Sequence, residues 1–184
     1  DATDDVVSRG LTELLNEGLL VAYDGAEIVF EFPHDRIHQA AVDSCSPDLR
    51  NQIHGRAARF LLAIARQGRG PNPYLFPLVD HLEAASSLIT SREERLEAAR
   101  ACLTATVRAE QNTAWSTVQH AAQTALHFLP PDSWQTEHEL TWQIHRAAMN
   151  ADYLNGNHER AEATFRSLSR ATADPLRLAR VYEQ

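Results

Sequence analysis

The sequence contains no lysine, and all 17 of its basic residues are arginine. A phosphate-binding P-loop needs a lysine that reaches the nucleotide phosphates, so this chain cannot carry an ordinary P-loop. Methionine occurs once, at Met149, and we therefore expect the sequence to be a fragment of a larger protein. The two cysteines, Cys45 and Cys102, are too few for a disulfide framework in a chain of 184 residues. We expect both to be buried, unreactive thiols.

Long apolar runs and catalytic motifs are also missing. No stretch approaches the roughly 18 apolar residues of a membrane span. The sequence also shows no basic segment followed by an apolar one, the pattern of a secretory signal peptide. We therefore expect a cytoplasmic protein with no membrane partner. The net charge of −8 disfavours an electrostatic nucleic-acid binder. The sequence shows no Gly-x-Ser-x-Gly, Cys-x-x-Cys or glycine-rich nucleotide loop, so we expect no enzyme activity and no cofactor in this fragment.

Glycine is scarce, with 7 residues in 184, and the long Ala/Leu/Arg/Glu stretches favour helices. One short region is different. Residues 20–32 consist of two apolar runs joined by Asp24-Gly25, and Ile28, Phe30 and Phe32 alternate with other residues in the second run. An Asp-Gly pair between such runs predicts a β-hairpin. A helix that stops at Gly18, this hairpin and a following helix together form the second half of a winged helix.

From Ser46 onward the apolar spacing is helical throughout. Ser46-Pro47, Asn72-Pro73 and Asp174-Pro175 each place a capping side chain before a proline at the first helical position. Ser91 with Glu94, and Asp132 with Gln135, predict capping boxes. The predicted helices are 4–17, 34–44, 47–66, 73–86, 92–110, 114–129, 133–155, 158–171 and 175–184.

The later helices form pairs that are similar to tetratricopeptide (TPR) repeats. Residues 153–168 have a glycine turn at Gly156, then the small residue Ala161 and the large Phe165 four positions later. Residues 113–130 follow the same scheme, and the two turns lie 43 positions apart rather than the usual number of about 34. In such repeats the small residue allows close packing of two helices, so we expect Ala161 at a helix contact.

The predicted fold is therefore mainly α: a partial winged helix with one β-hairpin, then a right-handed TPR-like α-α superhelix. We divide the chain into a winged-helix region at 1–45, connecting helices at 46–90 and TPR-like repeats at 91–184.

Two groups of aromatic and histidine side chains are candidate sites. His34 and His38 have the i, i+4 spacing that a metal can use, but a third ligand is missing, so we expect no metal. Trp134, His138, Trp142 and His145 lie along the predicted helix 133–155 and could form a partner-binding face. Packing between repeat helices is the alternative, because aromatic stripes at helical spacing usually belong to a core.

The predicted helix 47–66 has a basic character. Arg50, Arg56, Arg59 and Arg66, with Arg69 just beyond, could dock an acidic partner or nucleic acid, or could simply face solvent.

The run Phe30-x-Phe32-x-His34-Asp35-Arg36-Ile37-x-Gln39-Ala40-Ala41 resembles a junction in bacterial STAND-class signal-transducing ATPases. In those proteins an AAA-type ATPase domain precedes a winged helix and TPR-like helices, as in large multidomain kinases, sensor histidine kinases, adenylate cyclases and LuxR-type regulators. The resemblance implies that His34 contacts the diphosphate of ADP held by an upstream ATPase domain of the parent chain, with Asp35 ordering its loop. Pro33 departs from the family pattern, and His34 as a simple helix cap is the alternative.

These features together predict a non-catalytic regulatory fragment that couples the nucleotide state of a parent ATPase to a protein or small-molecule inducer on the helical array. A free-standing TPR scaffold is the first alternative. A DNA-binding regulator is the second, and it is disfavoured because Asp4, Asp5, Glu13 and Glu17 outnumber Arg9 on the helix before the wing.

Overall fold

The computed structural model describes residues 2–23, 29–66 and 72–171. Within these residues the chain is mainly helical and contains one two-stranded antiparallel sheet, as predicted. The helices are α1 Ala2–Asn16, α2 Asp35–Ser44, α3 Pro47–Arg66, α4 Leu75–Ala84, α5 Arg92–Gln111, α6 Trp115–Phe128, α7 Ser133–Thr136, α8 His138–Leu154 and α9 His158–Ala171, with a 3-10 turn at Ser86–Leu88. None of these described helices combines the length and apolarity that crossing a membrane requires.

The predicted hairpin is confirmed. Strand β1 Val21–Tyr23 pairs with β2 Val29–Glu31, with Ala22 opposite Phe30 at the centre of the register. Gly18 ends the preceding helix as predicted, because its φ of 66° is a left-handed conformation that glycine adopts without strain. The predicted Asp24-Gly25 turn lies outside the described residues.

The predicted start of the helix at Pro73 is wrong. The helix begins at Leu75, and the Asn72 side-chain oxygen accepts a hydrogen bond from the Tyr74 N–H at 2.9 Å instead of capping a helix at Pro73. Pro77 explains this. In a helix that began at Pro73, Pro77 would lie beyond the first turn, where its ring clashes with the carbonyl four residues back. A start at Leu75 places Pro77 within the first turn, where no N–H is needed.

The single helix predicted at 133–155 is also wrong, because the chain breaks at Glu137 into α7 and α8. The predicted capping box at Asp132 does not form: its carboxylate pairs with Arg92 of α5 at 2.8 Å and makes no side-chain cap bond. The Arg92 guanidinium, which hydrogen-bonds Asp132, lowers the pKa of that carboxyl. A contact with a distant helix thus takes the place of the local cap.

The other two described N-caps form as predicted, but the second half of the Ser91–Glu94 capping box does not, because the Glu94 carboxylate pairs with Arg59. The Ser91 side chain accepts a hydrogen bond from the Glu94 N–H at 3.2 Å, and Ser46 accepts one from the Leu49 N–H at 3.2 Å. Arg69 and the predicted helix at 175–184 lie outside the described residues.

The chain divides into two compact units, Asp1–Arg50 and Asn51–Gln184. In the second unit one large apolar cluster extends over α3, α4, α5, α6 and α8, and Leu78, Leu82 and Phe128 are fully buried in it. The helices α5 and α6 pack as one hairpin and α8 and α9 as another, while α8 also packs on α6. The predicted divisions after residues 45 and 90 stay predictions.

Two of the arginines on α3 bind α5. Arg59 donates to the Glu94 carboxylate at 2.6 Å, and Arg66 pairs with Glu97. The hydrogen bonds to these carboxylates raise the pKa values of both guanidinium groups. This part of the basic face therefore links two helices of the second unit.

The two helix hairpins turn in the same way, which supports their equivalence. Thr113 and Gly156 both have positive φ, at 53° and 81°. The N–H of the following residue then bonds back five positions, from Ala114 to Ala109 and from Asn157 to Asp152. This is the hydrogen-bond pattern of a Schellman motif. Turns that were paired by sequence spacing alone thus share one backbone geometry.

Candidate functional site

An open groove of about 710 Å³ lies on the second helix hairpin. Met149 and Ala161 form its floor and are almost fully buried, whereas Tyr153 and Leu154 form exposed walls. The remaining lining residues are Trp115, Asn150, His158, Glu162 and Phe165. A volume of this size matches sites that hold drug-sized ligands or the side chains of a bound peptide.

The turn between α8 and α9 shapes the mouth of the groove. The left-handed Gly156 brings the N-terminus of α9 back beside the C-terminus of α8. The Tyr153 ring then meets the His158 ring edge-on, with 5.3 Å between ring centroids. Ala161 presents only a methyl group on the next turn of α9, so the groove extends inward to Met149.

The surface of the first hairpin that corresponds to this groove is covered. A shift of 43 positions relates Ala161 and Glu162 to Val118 and Gln119 on α6. Val118 is fully buried in one cluster with Ala151 of α8, and Gln119 hydrogen-bonds another residue of α8. A helix therefore already binds the equivalent surface, and the groove has the character of a helix-accepting surface.

A buried carboxylate that the sequence analysis missed lies on α8, next in sequence to the groove residue Tyr153. Asp152 is 1% exposed, and its Oδ1 accepts a hydrogen bond from the Gln119 side chain at 2.6 Å. Arg160 approaches its other oxygen at 3.6 Å, and Asn155 donates to the Trp115 carbonyl at 3.0 Å. Hydrogen bonds to a buried carboxylate favour the one arrangement of the packed helices in which its partners are present. The sequence signal was an aspartate beside Ala151 and Ala148 on an otherwise apolar helix face.

The predicted partner-binding set is close together in space. The Trp134 ring lies 4.9 Å from the His145 ring and 5.8 Å from the His138 ring, between centroids. Trp142 is buried with Met149, and Trp134 packs against the same cluster. His145 hydrogen-bonds the Thr141 carbonyl at 2.8 Å through Nδ1, and burial lowers its pKa. Trp142 is therefore part of the core. Binding of a partner by these four residues stays a prediction.

His34 and Asp35 are exposed in the first unit. His34 occupies the N-cap position of α2 with extended backbone angles, yet its side chain makes no capping hydrogen bond. The capping alternative therefore finds no support in the hydrogen bonds of α2. The neighbouring His38 ring stacks near Phe32, with 5.2 Å between centroids. Across the described ranges no group of three potential ligands is arranged to hold a metal ion.

Two histidine contacts in the second unit escaped the sequence analysis. The Nδ1 atoms of His54 on α3 and His81 on α4 are 2.8 Å apart, so the two rings share one proton in a hydrogen bond. Burial, and then the neighbouring His54, lower the pKa of His81. His120 reaches Asp80 at 3.0 Å beside a second depression of about 530 Å³.

Both cysteines were predicted to be buried, and this is correct for Cys102 but not for Cys45, which keeps partial solvent exposure. Cys102 is fully buried, and desolvation raises its pKa to about 12. The Cys45 thiol is partly buried and donates to the Ala41 carbonyl at 3.4 Å. A thiol attacks as its thiolate, which burial suppresses at Cys102.

Neither the known protein families, nor the curated proteins, nor the solved structures include a match to this chain.

Proposed function

We propose that this chain is a non-catalytic regulatory part of a larger cytoplasmic signal-transducing ATPase. In this proposal the helical array, a right-handed TPR-like superhelix, binds a protein or small-molecule inducer, and the winged-helix region responds to ATP or ADP in the parent protein. The observation that carries the proposal is the open apolar groove on α8 and α9, whose equivalent on the first hairpin already accepts a helix.

The inducer site is the groove. Its floor and walls suit an apolar or aromatic body, while Asn150, His158 and Glu162 offer hydrogen bonds at the rim. Glu162 pairs with Arg166 one turn further along α9, so the rim carries no large net charge. An inducer with an aromatic body and one or two hydrogen-bonding groups fits these features best.

The groove is tested with a library of neutral aromatic fragments and ligand-observed NMR. We expect hits whose affinity falls roughly tenfold or more with Leu154→Arg, because the new side chain crosses the groove mouth. Leu154 is half exposed at the end of α8, so the fold should persist. The matched control is Val107→Arg, which adds the same charge at a similarly exposed apolar position of α5. Hits that bind both variants equally would contradict the assignment.

The nucleotide response is assigned to His34. An imidazole N–H can donate to a phosphate oxygen, and an exposed position at the start of α2 suits an anion. We expect His34→Ala in the full-length parent to speed ADP release by about tenfold or more, since a hydrogen bond to a charged group contributes about 1.5–3 kcal/mol. The measurement is ADP dissociation, with His38→Ala as the matched control.

A normally folded His34→Ala parent with an unchanged ADP off-rate would remove the sensor role. Thermal melting separates that result from unfolding. Because the groove test uses the isolated chain, the inducer site and the sensor can fail separately.

A free-standing helical scaffold is the second candidate, favoured by the matched Schellman turns of the two hairpins. The complete open reading frame discriminates: a Gly-x-x-x-x-Gly-Lys-Ser/Thr run upstream supports the ATPase parent, and its absence supports the scaffold. A DNA-binding regulator is the weakest candidate, because the described carboxylates of α1 would repel phosphates.

A further inference from the structure

The first unit leaves most of its apolar side chains uncovered. Among its described residues only Leu20 is a buried apolar side chain, at 8% exposure. Nine large apolar side chains are between 38% and 58% exposed: Val6, Val7, Leu14, Leu19, Tyr23, Val29, Phe30, Phe32 and Leu49. Single exposed apolar residues are ordinary, but nine within Asp1–Arg50 leave apolar surface that this unit does not cover itself.

The same unit carries the whole net charge of the chain. Residues 1–50 contain three arginines and eleven aspartates or glutamates, a net charge of −8. Residues 51–184 contain fourteen arginines and fourteen acidic residues, a net charge of zero. Every acidic side chain described in the first unit is exposed: Asp5, Glu13, Glu17, Glu31, Asp35, Asp43 and Asp48.

On α1 the apolar and acidic groups lie side by side. Helical spacing places Glu13 on the same face of α1 as Val6. Glu17 lies just past the end of α1 and continues this face, because its N–H still donates to the Glu13 carbonyl at 3.0 Å. Val7 and Leu14, two turns apart, form the neighbouring stripe, and both are exposed. A partner that covers this stripe therefore meets carboxylates along one edge of it.

We propose that this face of the first unit, which we call the acidic-apolar face, docks a basic amphipathic helix of another protein domain. Leucine-like residues at i, i+3, i+4 and i+7 of that helix cover Val7 and Leu14, and its lysines or arginines meet Glu13 and Glu17. Charge decides between occupants. A second copy of the chain brings another first unit of net charge −8, and nucleic acid and anionic membranes are negative as well. The acidic-apolar face repels all three, whereas it attracts a basic helix. The proposal is independent of the groove and of the sensor role of His34.

The test measures binding of fluorescent peptides to the whole chain by anisotropy. The probe is a helix-forming peptide of about five turns with leucines on one face and lysines on the other. Its twin carries glutamate in place of every lysine. We expect the basic peptide to bind with a Kd of about 1–100 μM at low salt, weakening with salt, and the acidic twin not to bind.

Two double variants locate the site. Val7→Ser with Leu14→Ser removes the apolar stripe, and Glu13→Gln with Glu17→Gln removes the charge. Each should weaken binding by roughly tenfold. The matched controls in the second unit are Val107→Ser and Glu93→Gln with Glu159→Gln, also at exposed positions, and they should leave Kd unchanged. Far-UV circular dichroism checks the fold of each variant.

Several outcomes would overturn the proposal. The first is that the acidic twin binds as tightly as the basic peptide. The second is that the basic peptide does not bind at 1 mM, a Kd that corresponds to a binding free energy of about −4 kcal/mol. The third is that the second-unit controls lose as much binding as the α1 variants. Dimers in sedimentation that the Val7 and Leu14 substitutions dissociate would make a second copy the occupant. Binding of the unmodified chain to anionic vesicles or duplex DNA through this face would also exclude a basic helix as its partner.

Discussion

Thr113 has an unusual backbone conformation for its residue type. Its φ of 53° lies in the left-handed region, where a β-branched side chain is strained. The equivalent position in the second hairpin is Gly156, which adopts the same region without a Cβ. The structure around Thr113 evidently compensates, since the Ala114 N–H and the Thr113 N–H both bond back to α5. The two hairpins thus share one turn geometry, in which the left-handed position is held by glycine in the second hairpin and by a strained threonine in the first.

Thr113→Gly should stabilise the second unit by about 0.5–1 kcal/mol, because the relieved strain of about 1–2 kcal/mol exceeds the added freedom of glycine in the unfolded chain. Urea unfolding measures the change. Thr104→Gly is the matched control: Thr104 is exposed within α5, where glycine is a poorer helix former, so stability should fall by a few tenths of a kcal/mol. Equal signs for the two substitutions would contradict strain at Thr113.

The candidate site residues were predictable to different degrees. His34 and Asp35 were identified through the family resemblance, and the predicted partner-binding set through its spacing along a helix. The structure places His34 at the surface and Trp142 of that set in the core. The groove was not predicted: the sequence analysis named two of its lining residues, Ala161 and Phe165, but only as members of the repeat pattern. Its walls come from two helices, and the rotation of one helix against the other cannot be read from residue spacing. Gln119 and Asp152, 33 positions apart, meet only because α8 packs on α6.

At the scale of elements, local patterns were sufficient where local contacts decide the structure. The bounds of α3 and α9 match the prediction, because a Ser46 cap and a glycine turn mark them in the sequence. The errors occurred where a second residue competed. Pro77 moved the start of α4, and Arg92 took the carboxylate of Asp132 away from its predicted cap. Distant ion pairs of this kind carry no periodic signature.

At the scale of the whole molecule, apolar burial and charge are divided in opposite ways. The second unit holds 27 of the 28 buried apolar side chains of the described residues, and the first holds only Leu20. A unit as small as the first can bury little of its surface even when well packed. Its stability in isolation must therefore be low, which agrees with a surface that awaits a partner.

Hydrogen exchange of the whole chain should resolve this division. Backbone amides exchange through openings that range from about zero free energy to that of global unfolding, and the amides of well-packed helices are the most protected. We expect the amides of α1 to exchange orders of magnitude faster than those of α8, although the two helices have similar lengths of 15 and 17 residues. The difference follows from burial, since α8 has eight buried residues whereas every described side chain of α1 retains solvent exposure. The basic peptide probe should slow exchange in α1 and leave α8 unchanged, because it covers only the acidic-apolar face. Equal protection of α1 and α8 in the free chain, persisting on dilution, would contradict a first unit with almost no core of its own.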